Sequence, residues 1–442
     1  MFGNTYGTDP LLALFSDHGF TSAFLEFERA LLESQEALGL VPGGEAAKLA
    51  AVSLADLDLS AAGEAALETG NPVAGLVEQV HDHAPYAHYG VTAHDAWDMA
   101  HVLQLRAAVG LILQDVRTSV ARLADLAEIH ADTPMLGRTQ GQAGAPTTLG
   151  FKLATWLDEL LRTAGRVERA NTDASILSIA GAVGTGSSFA VMGGDPEQVE
   201  EVVAERLRLN SVRTSWHTAR DHFVELAGAL GQFCTLAGKV GHEVYNLQRT
   251  GIAELAEGGA AGSSSVPQKV NPWIAQRMHG SAVVGRGLAA TVGAAAALPE
   301  GEREIGSAYA EWHGLAHLCL ISGRLAADLA VMITRLDIHP ETMQANLDAN
   351  PAVLSESLSM VLCQAVGKQR GHALMKEAVA RHNHGLSFRA AVTEVFERAG
   401  VEMPPDVLFS AGEPGWAPRR ARELVTAARL WLERSDTTTG HR

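Results

Sequence analysis

Cysteine is scarce in this chain. Only Cys234, Cys319 and Cys363 occur in 442 residues, far apart and in helix-like stretches. Such spacing excludes a disulfide framework or a zinc site, and the three read as reduced core residues of a cytoplasmic protein. Positive charge is also short: 34 Lys and Arg face 51 Asp and Glu, a formal net charge of −17. Nucleic acid is therefore not an expected partner, because its phosphates demand a basic face. An acidic chain still binds small anions wherever a few cations converge in a cleft. Charged or polar residues interrupt every apolar run before it reaches bilayer length, so no membrane partner is expected either. The N-terminus has no basic region followed by an apolar stretch, and no secretory signal is expected. With no metal-ligating cluster, Rossmann glycine pattern or phosphate loop, no cofactor and no metal are predicted.

What remains is ample apolar material in a helical pattern. A hydrophobic content of 47% and a mean hydropathy of +0.05 can fill a sizeable interior, and 442 residues exceed one ordinary core. Phe223, Leu226, Leu230, Phe233, Ala237, Val240, Val244 and Leu247 follow one another at steps of three and four, a heptad seam. Gly228, Gly231, Gly238 and Gly241 weaken that helix in isolation but permit close approach, so it is expected to lie buried among others. Similar patterns cover 103–129, 146–169, 272–298 and 302–336, while strand signals are nearly absent. An all-α protein with a central bundle of long helices follows. Punctuation divides it into a helical part at 1–102, the long-helix bundle at 103–348, and a C-terminal helical part at 349–442.

The most informative stretch is Gly262-Ser263-Ser264-Ser265-Val266-Pro267-Gln268-Lys269-Val270-Asn271-Pro272. A plain Gly/Ser linker would account for its first half. Its second half sets an ammonium, an N-cap and a proline suited to the first helical position in fixed order, so Asn271 is expected to cap the helix that follows. The run resembles the mobile-loop motif of the fumarase/aspartase superfamily, Gly-Ser-Ser-x-Met-Pro-x-Lys-x-Asn-Pro, with Val266 replacing methionine.

Three further segments carry the resemblance in the same order. His88-Tyr89-Gly90-Val91-Thr92-Ala93-His94-Asp95 is similar to the superfamily's His-x-Gly-x-Thr-Ser-x-Asp run, which holds a substrate carboxylate; Ala93 replaces a serine. Gly137-Arg138-Thr139-Gln140-Gly141-Gln142 is similar to Gly-Arg-Thr-His-x-Gln, with Gln140 where histidine is usual. Ser215-Trp216-His217-Thr218-Ala219-Arg220-Asp221, with Ser16-Asp17 and Phe27-Glu28-Arg29-Ala30, resembles the 3-carboxy-cis,cis-muconate cycloisomerase branch. Arg303 and Ser307 resemble a further substrate-contacting element. Taken singly, Arg220, Asp221, Glu302, Arg303 and Glu304 also fit ordinary salt-bridge charges at helix starts.

The resemblance implies the three-domain superfamily lyase fold and a homotetramer whose active sites are shared between subunits. It also implies a small polycarboxylate substrate. Members remove a proton α to a carboxylate, pass through an aci-carboxylate and expel a β-leaving group. By motif position Ser263 is the base, assisted by Lys269. His94 is a candidate catalytic group, and His88, Thr92, Arg138, Thr139, Gln140, Ser264, Asn271, Arg220, Arg303 and Ser307 are candidate substrate contacts. An amide cannot donate a proton and be restored, so Gln140 points to a leaving group that departs as a stable anion. Elimination from a substituted succinate such as nitrosuccinate, releasing fumarate, fits this as well as muconate cycloisomerisation does, and Ala93-His94 in the carboxylate-binding segment favours it. Muconate cycloisomerisation, C–N cleavage of the argininosuccinate or adenylosuccinate type, and a non-catalytic helical scaffold are the alternatives.

Overall fold

The structure is a computed structural model describing residues 2–439 apart from 260, 261, 263, 264, 267 and 406–413. Helices take up 69% of it, as the sequence patterns require. Helix α1 (Asp17–Ala37) starts where Ser16 can cap it: Ser16 Oγ accepts from the Gly19 amide at 3.2 Å, and Asp17 sits in the first turn. Helix α2 (Ala74–His83) precedes the long α3 (Ala93–Ile129). An antiparallel hairpin follows, β1 (Pro134–Thr139) with β2 (Gln142–Thr148). The later helices are α4 (Leu149–Ala174), α5 (Pro196–Leu207), α6 (Asp221–Leu247), α7 (Trp273–Ala295) and α8 (Gly306–Thr334). The pair β3 (Leu255–Ala256) and β4 (Asp337–Ile338) is antiparallel. Helices α9 (Pro340–Asp348), α10 (Ser355–Val366), α11 (Lys368–Asn383), α12 (Phe388–Ala399) and α13 (Ala417–Thr439) complete the chain.

Four local expectations change. Helix α3 begins ten residues ahead of 103, because its polar first turns are buried, with Asp95 and Asp98 satisfied by tertiary partners. The expected helix start at 146 is instead strand: Pro146 pairs with Leu136 across the hairpin. The cap of α7 is not the Asn271 side chain. Glu257 takes that place, accepting the Ile274 and Ala275 amides at 3.0 and 2.8 Å. Finally, α8 is long and apolar enough to cross a bilayer by length and composition; 67% of its apolar window is buried, as in a core helix.

The chain forms two compact units. Unit 1 comprises 1–116, 162–239 and 277–329, and unit 2 comprises 117–161, 240–276 and 330–442. Within unit 1 the seam of α6 is buried from Phe223 onward. Added Cβ atoms at Gly231 and Gly238 would run into Ala289 and Ala282 of α7, so these two glycines permit the close approach that the heptad pattern requires. Within unit 2, Leu358 and Leu362 of α10, Met375 of α11 and Phe388, Val392 and Phe396 of α12 form a buried cluster with Leu136 of β1.

Candidate active site

The sequence candidates fall on both units. On unit 1, residues 87–89 make no ladder of their own, and side chains hold three consecutive backbone groups. His81 Nε2 meets the Ala87 carbonyl at 2.9 Å, Glu28 Oε2 accepts the His88 amide at 2.8 Å, and Gln35 Nε2 donates to the Tyr89 carbonyl at 2.6 Å. His88 stands at φ 56°, a left-handed conformation uncommon for a residue with a Cβ. Its Nδ1 lies 2.7 Å from Glu28 Oε1. Burial opposes its charging, but Glu28, helped by Asp95, outweighs burial and raises the imidazole above its ordinary value.

Asp95, in the first turn of α3, joins three loops. It accepts the Thr92 and Gly181 amides at 3.0 Å each and the Ser178 hydroxyl at 2.9 Å, with His217 Nε2 at 2.8 Å. Thr92 Oγ1 accepts from Arg303 Nη1, so two predicted contacts meet. Glu304 closes the start of α8 through the Gly306 and Ser307 amides; the Ser307 amide is the leading cause that lowers its carboxyl, and Ser307 is buried. A cavity of about 630 Å³ lies against the 177–186 and 211–216 loops and is lined by none of the sequence candidates.

His94 is 4% exposed and packs edge to face against His217, ring centroids 5.2 Å apart. Its Nε2 is 3.4 Å from Asp98 Oδ2, and neither ring nitrogen has a hydrogen-bond partner among the described residues. Burial first, then Arg220 and His217, lower it against the pull of Asp98, which favours a neutral ring. Arg220 departs from its expected role as a substrate contact. Its guanidinium bonds Asp98 at 2.8 and 2.9 Å and Glu311 at 3.1 and 3.2 Å, all buried, so its charge is spent inside the protein.

Burial, with the Arg220 charge adding to it, pushes His101 and His222 down to about 4, which predicts acid lability. Unfolded imidazoles bind protons near pH 6.5 and these two only near 4, so the unfolded state holds more protons in between. Their contribution is whole above about pH 6.5 and falls as pH drops toward about 4. The thermal midpoint should decline steadily across that window; a flat profile would show that these rings do not stay neutral.

On unit 2, Arg138 is likewise engaged. It forms a bidentate pair with buried Glu254 at 2.7 and 2.8 Å, and Asn346 Nδ2 adds a third donor to Glu254 at 2.9 Å. The guanidinium expected to grip a carboxylate therefore already grips one from its own chain. Thr139 is exposed beside the two-residue turn Gln140-Gly141, whose φ values of 51° and 76° suit a tight hairpin. Gln140 thus occupies the histidine position in a left-handed backbone. Of the signature run, Ser263 and Ser264 lie outside the described residues. Its ends are pinned by the Gly262–Val270 bridge and by Gln248, which accepts the Glu257 amide at 2.9 Å and reaches the Val270 carbonyl at 3.4 Å. Lys269 is exposed, its amide on the Val266 carbonyl at 3.0 Å, and Asn271 is half-buried. Asp98, Gln248, Glu254, Glu257 and Glu311 escaped the sequence reading, and Glu28 entered it only as part of a family-like run, since a lone carboxylate or amide carries no signal of its distant partner.

A family model described as lyase matches residues 50–287. The chain is 34% identical to the 3-carboxy-cis,cis-muconate cycloisomerase of Pseudomonas aeruginosa, over 98% of this chain and 95% of that protein. The chain belongs to the fumarase/aspartase superfamily. This superfamily enzyme is also 32% identical to the N-acetyl-S-(2-succino)cysteine lyase of Dickeya dadantii, covering 97% of this chain and 96% of that one. It shares 32% identity with the nitrosuccinate lyase of Streptomyces davaonensis, over 84% and 81% of the two chains. Its fold matches the solved 3-carboxy-cis,cis-muconate lactonizing enzyme of Pseudomonas putida with a TM-score of 0.88 at 31% identity, over 97% of this chain and 99% of that one.

Proposed function

We propose that this superfamily enzyme eliminates an anionic group from a substituted succinate and releases fumarate. Gln140 limits the leaving group to an anion, and Ala93-His94 in the carboxylate-binding segment carries the reading to a succinate. An elimination that expels an amine needs a proton donor at the leaving group, whereas nitrite or a thiolate departs as a stable anion. The amide at 140 can orient such a group by hydrogen bonding without protonating it. In this reading Ser263 removes the proton next to a carboxylate, and Lys269, Asn271, Thr139 and the Thr92–Arg303 pair stabilise the aci-carboxylate that forms. Preorganised donors of this kind are worth on the order of 2.7–4 kcal/mol each when one is lost. Neutral His94 remains available to hold or pass a proton. The names of two similar proteins, nitrosuccinate lyase and N-acetyl-S-(2-succino)cysteine lyase, each describe a succinyl compound, which supports the substrate class. The proposal extends to a cytoplasmic homotetramer with shared active sites.

A second reading, 3-carboxy-cis,cis-muconate cycloisomerisation, is favoured by the 34% identity to an enzyme of that name. Its reverse also expels a carboxylate, so Gln140 suits it equally. The two separate cleanly in one assay. Purified enzyme mixed with 3-carboxy-cis,cis-muconate should leave the diene absorbance unchanged, and nitrosuccinate should yield fumarate. Rapid loss of the diene would retire the succinate reading.

A further inference from the structure

Glu28 sits in the middle of α1 and is fully buried. A buried carboxylate costs folding free energy unless its oxygens are satisfied. Here the described bonds of both oxygens go to one residue 60 positions away: Oε2 takes the His88 amide and Oε1 faces His88 Nδ1. His88 holds the left-handed backbone that a residue with a Cβ keeps only where its surroundings impose it. Gln35, two turns further along α1, fixes the next carbonyl of the same loop. The His88 side chain nevertheless keeps 11% of its surface exposed, so it is not sealed from a ligand.

We propose that Glu28 is a positioning residue. It locks His88 with Nδ1–H turned into the protein and keeps the ring an imidazolium, so that Nε2–H is presented as a charged donor to a substrate carboxylate. This rests on reading residues 88–95 as a carboxylate-binding segment. With Nδ1–H committed to Glu28, Nε2 can donate only from the protonated ring. The charged groups that face His88 are Glu28 from α1 and Asp95 from α3, and both favour that form. Glu28→Gln keeps the shape and an oxygen for the His88 amide while removing the charge.

The test is a nitrogen-15 NMR titration of histidine-labelled protein, with His88 assigned by the signal missing from His88→Gln, alongside fumarate dissociation constants over the same pH range. In Glu28→Gln the His88 midpoint should fall. Fumarate binding should weaken roughly tenfold or more between that lowered midpoint and the wild-type midpoint, the scale of one charge-assisted hydrogen bond. The deficit should close as pH falls and the variant's ring takes up its proton, since the bound proton is what Glu28 stabilises. An unmoved midpoint, or equal fumarate binding by both proteins at every pH, would overturn the proposal. If Glu28→Gln does not fold, His88→Gln must lose fumarate affinity to the same extent; unchanged affinity there would overturn it equally. Wild-type protein with a raised His88 midpoint but no affinity for fumarate would instead remove the carboxylate reading of the segment.

Discussion

Arg220→Met is expected to cost about 3–5 kcal/mol of folding stability, the range for stripping a buried ion pair of one partner. Arg220, Asp98 and Glu311 are 5%, 0% and 2% exposed, and no water can take over the lost contacts without opening the core of unit 1. Methionine fills much of the volume but leaves two carboxylates uncompensated. Burial already raises Glu311 in spite of Arg220, whereas Arg220 is the main influence that keeps Asp98 low against burial. Without the guanidinium Glu311 rises further and Asp98 loses what keeps it low, and the variant recovers part of its deficit when they take up protons. The gap between variant and wild type should therefore narrow as pH falls. Denaturant titrations with tryptophan fluorescence, run on both proteins at neutral and mildly acidic pH, provide the check. A loss under about 1 kcal/mol at neutral pH would mean that the triad carries little of the unit's stability.

Ser263→Ala is expected to lower kcat by about 10²–10⁴, the usual yield of a positioned general base, while leaving the fold intact. The fold should survive because the described anchors of the signature run are elsewhere: the Gly262–Val270 bridge, the Gln248 side chain and the Glu257 cap on α7. The carboxylate contacts proposed in the ground state also remain, so KM should change little. Steady-state kinetics on the substrate that turns over, with circular dichroism as the folding control, separates the outcomes. Activity within tenfold of wild type would remove Ser263 from the role of base and shift attention to His94.

Much of the long-helix core was legible because apolar periodicity is a local signal. All eight seam residues from Phe223 to Leu247 are buried, and Gly231 and Gly238 sit where α7 comes close. The start of α3 was not legible. His94, Asp95, Asp98 and His101 look like loop polarity, and the partners that make the burial of Asp95 and Asp98 tolerable, among them His217, Ser178 and Arg220, lie far along the chain. The hairpin was missed for a different reason: Gln140-Gly141 is a fair turn signal, but Pro146 and Thr147 were absorbed into the helix that follows. At the site, motif order named Thr92 and Arg303 as separate candidates, and the fold brings the two side chains together. It could not foresee that Arg138 and Arg220 meet carboxylates of their own chain, because those partners lie 116 and 91 to 122 positions away.

The interleaving of the two units bears on how the polypeptide emerges from the ribosome. Unit 1 draws on residues as late as 329, and unit 2 needs the stretch from 330 to 442. Neither can close while the first three hundred residues are being made, so the usual vectorial order, in which an N-terminal domain folds before its successor is synthesised, has no finished product here. Nascent chains must keep the apolar faces of α3, α4 and α6 from one another's wrong partners until α8 arrives. A fragment that ends before residue 329 would inherit the same incompleteness.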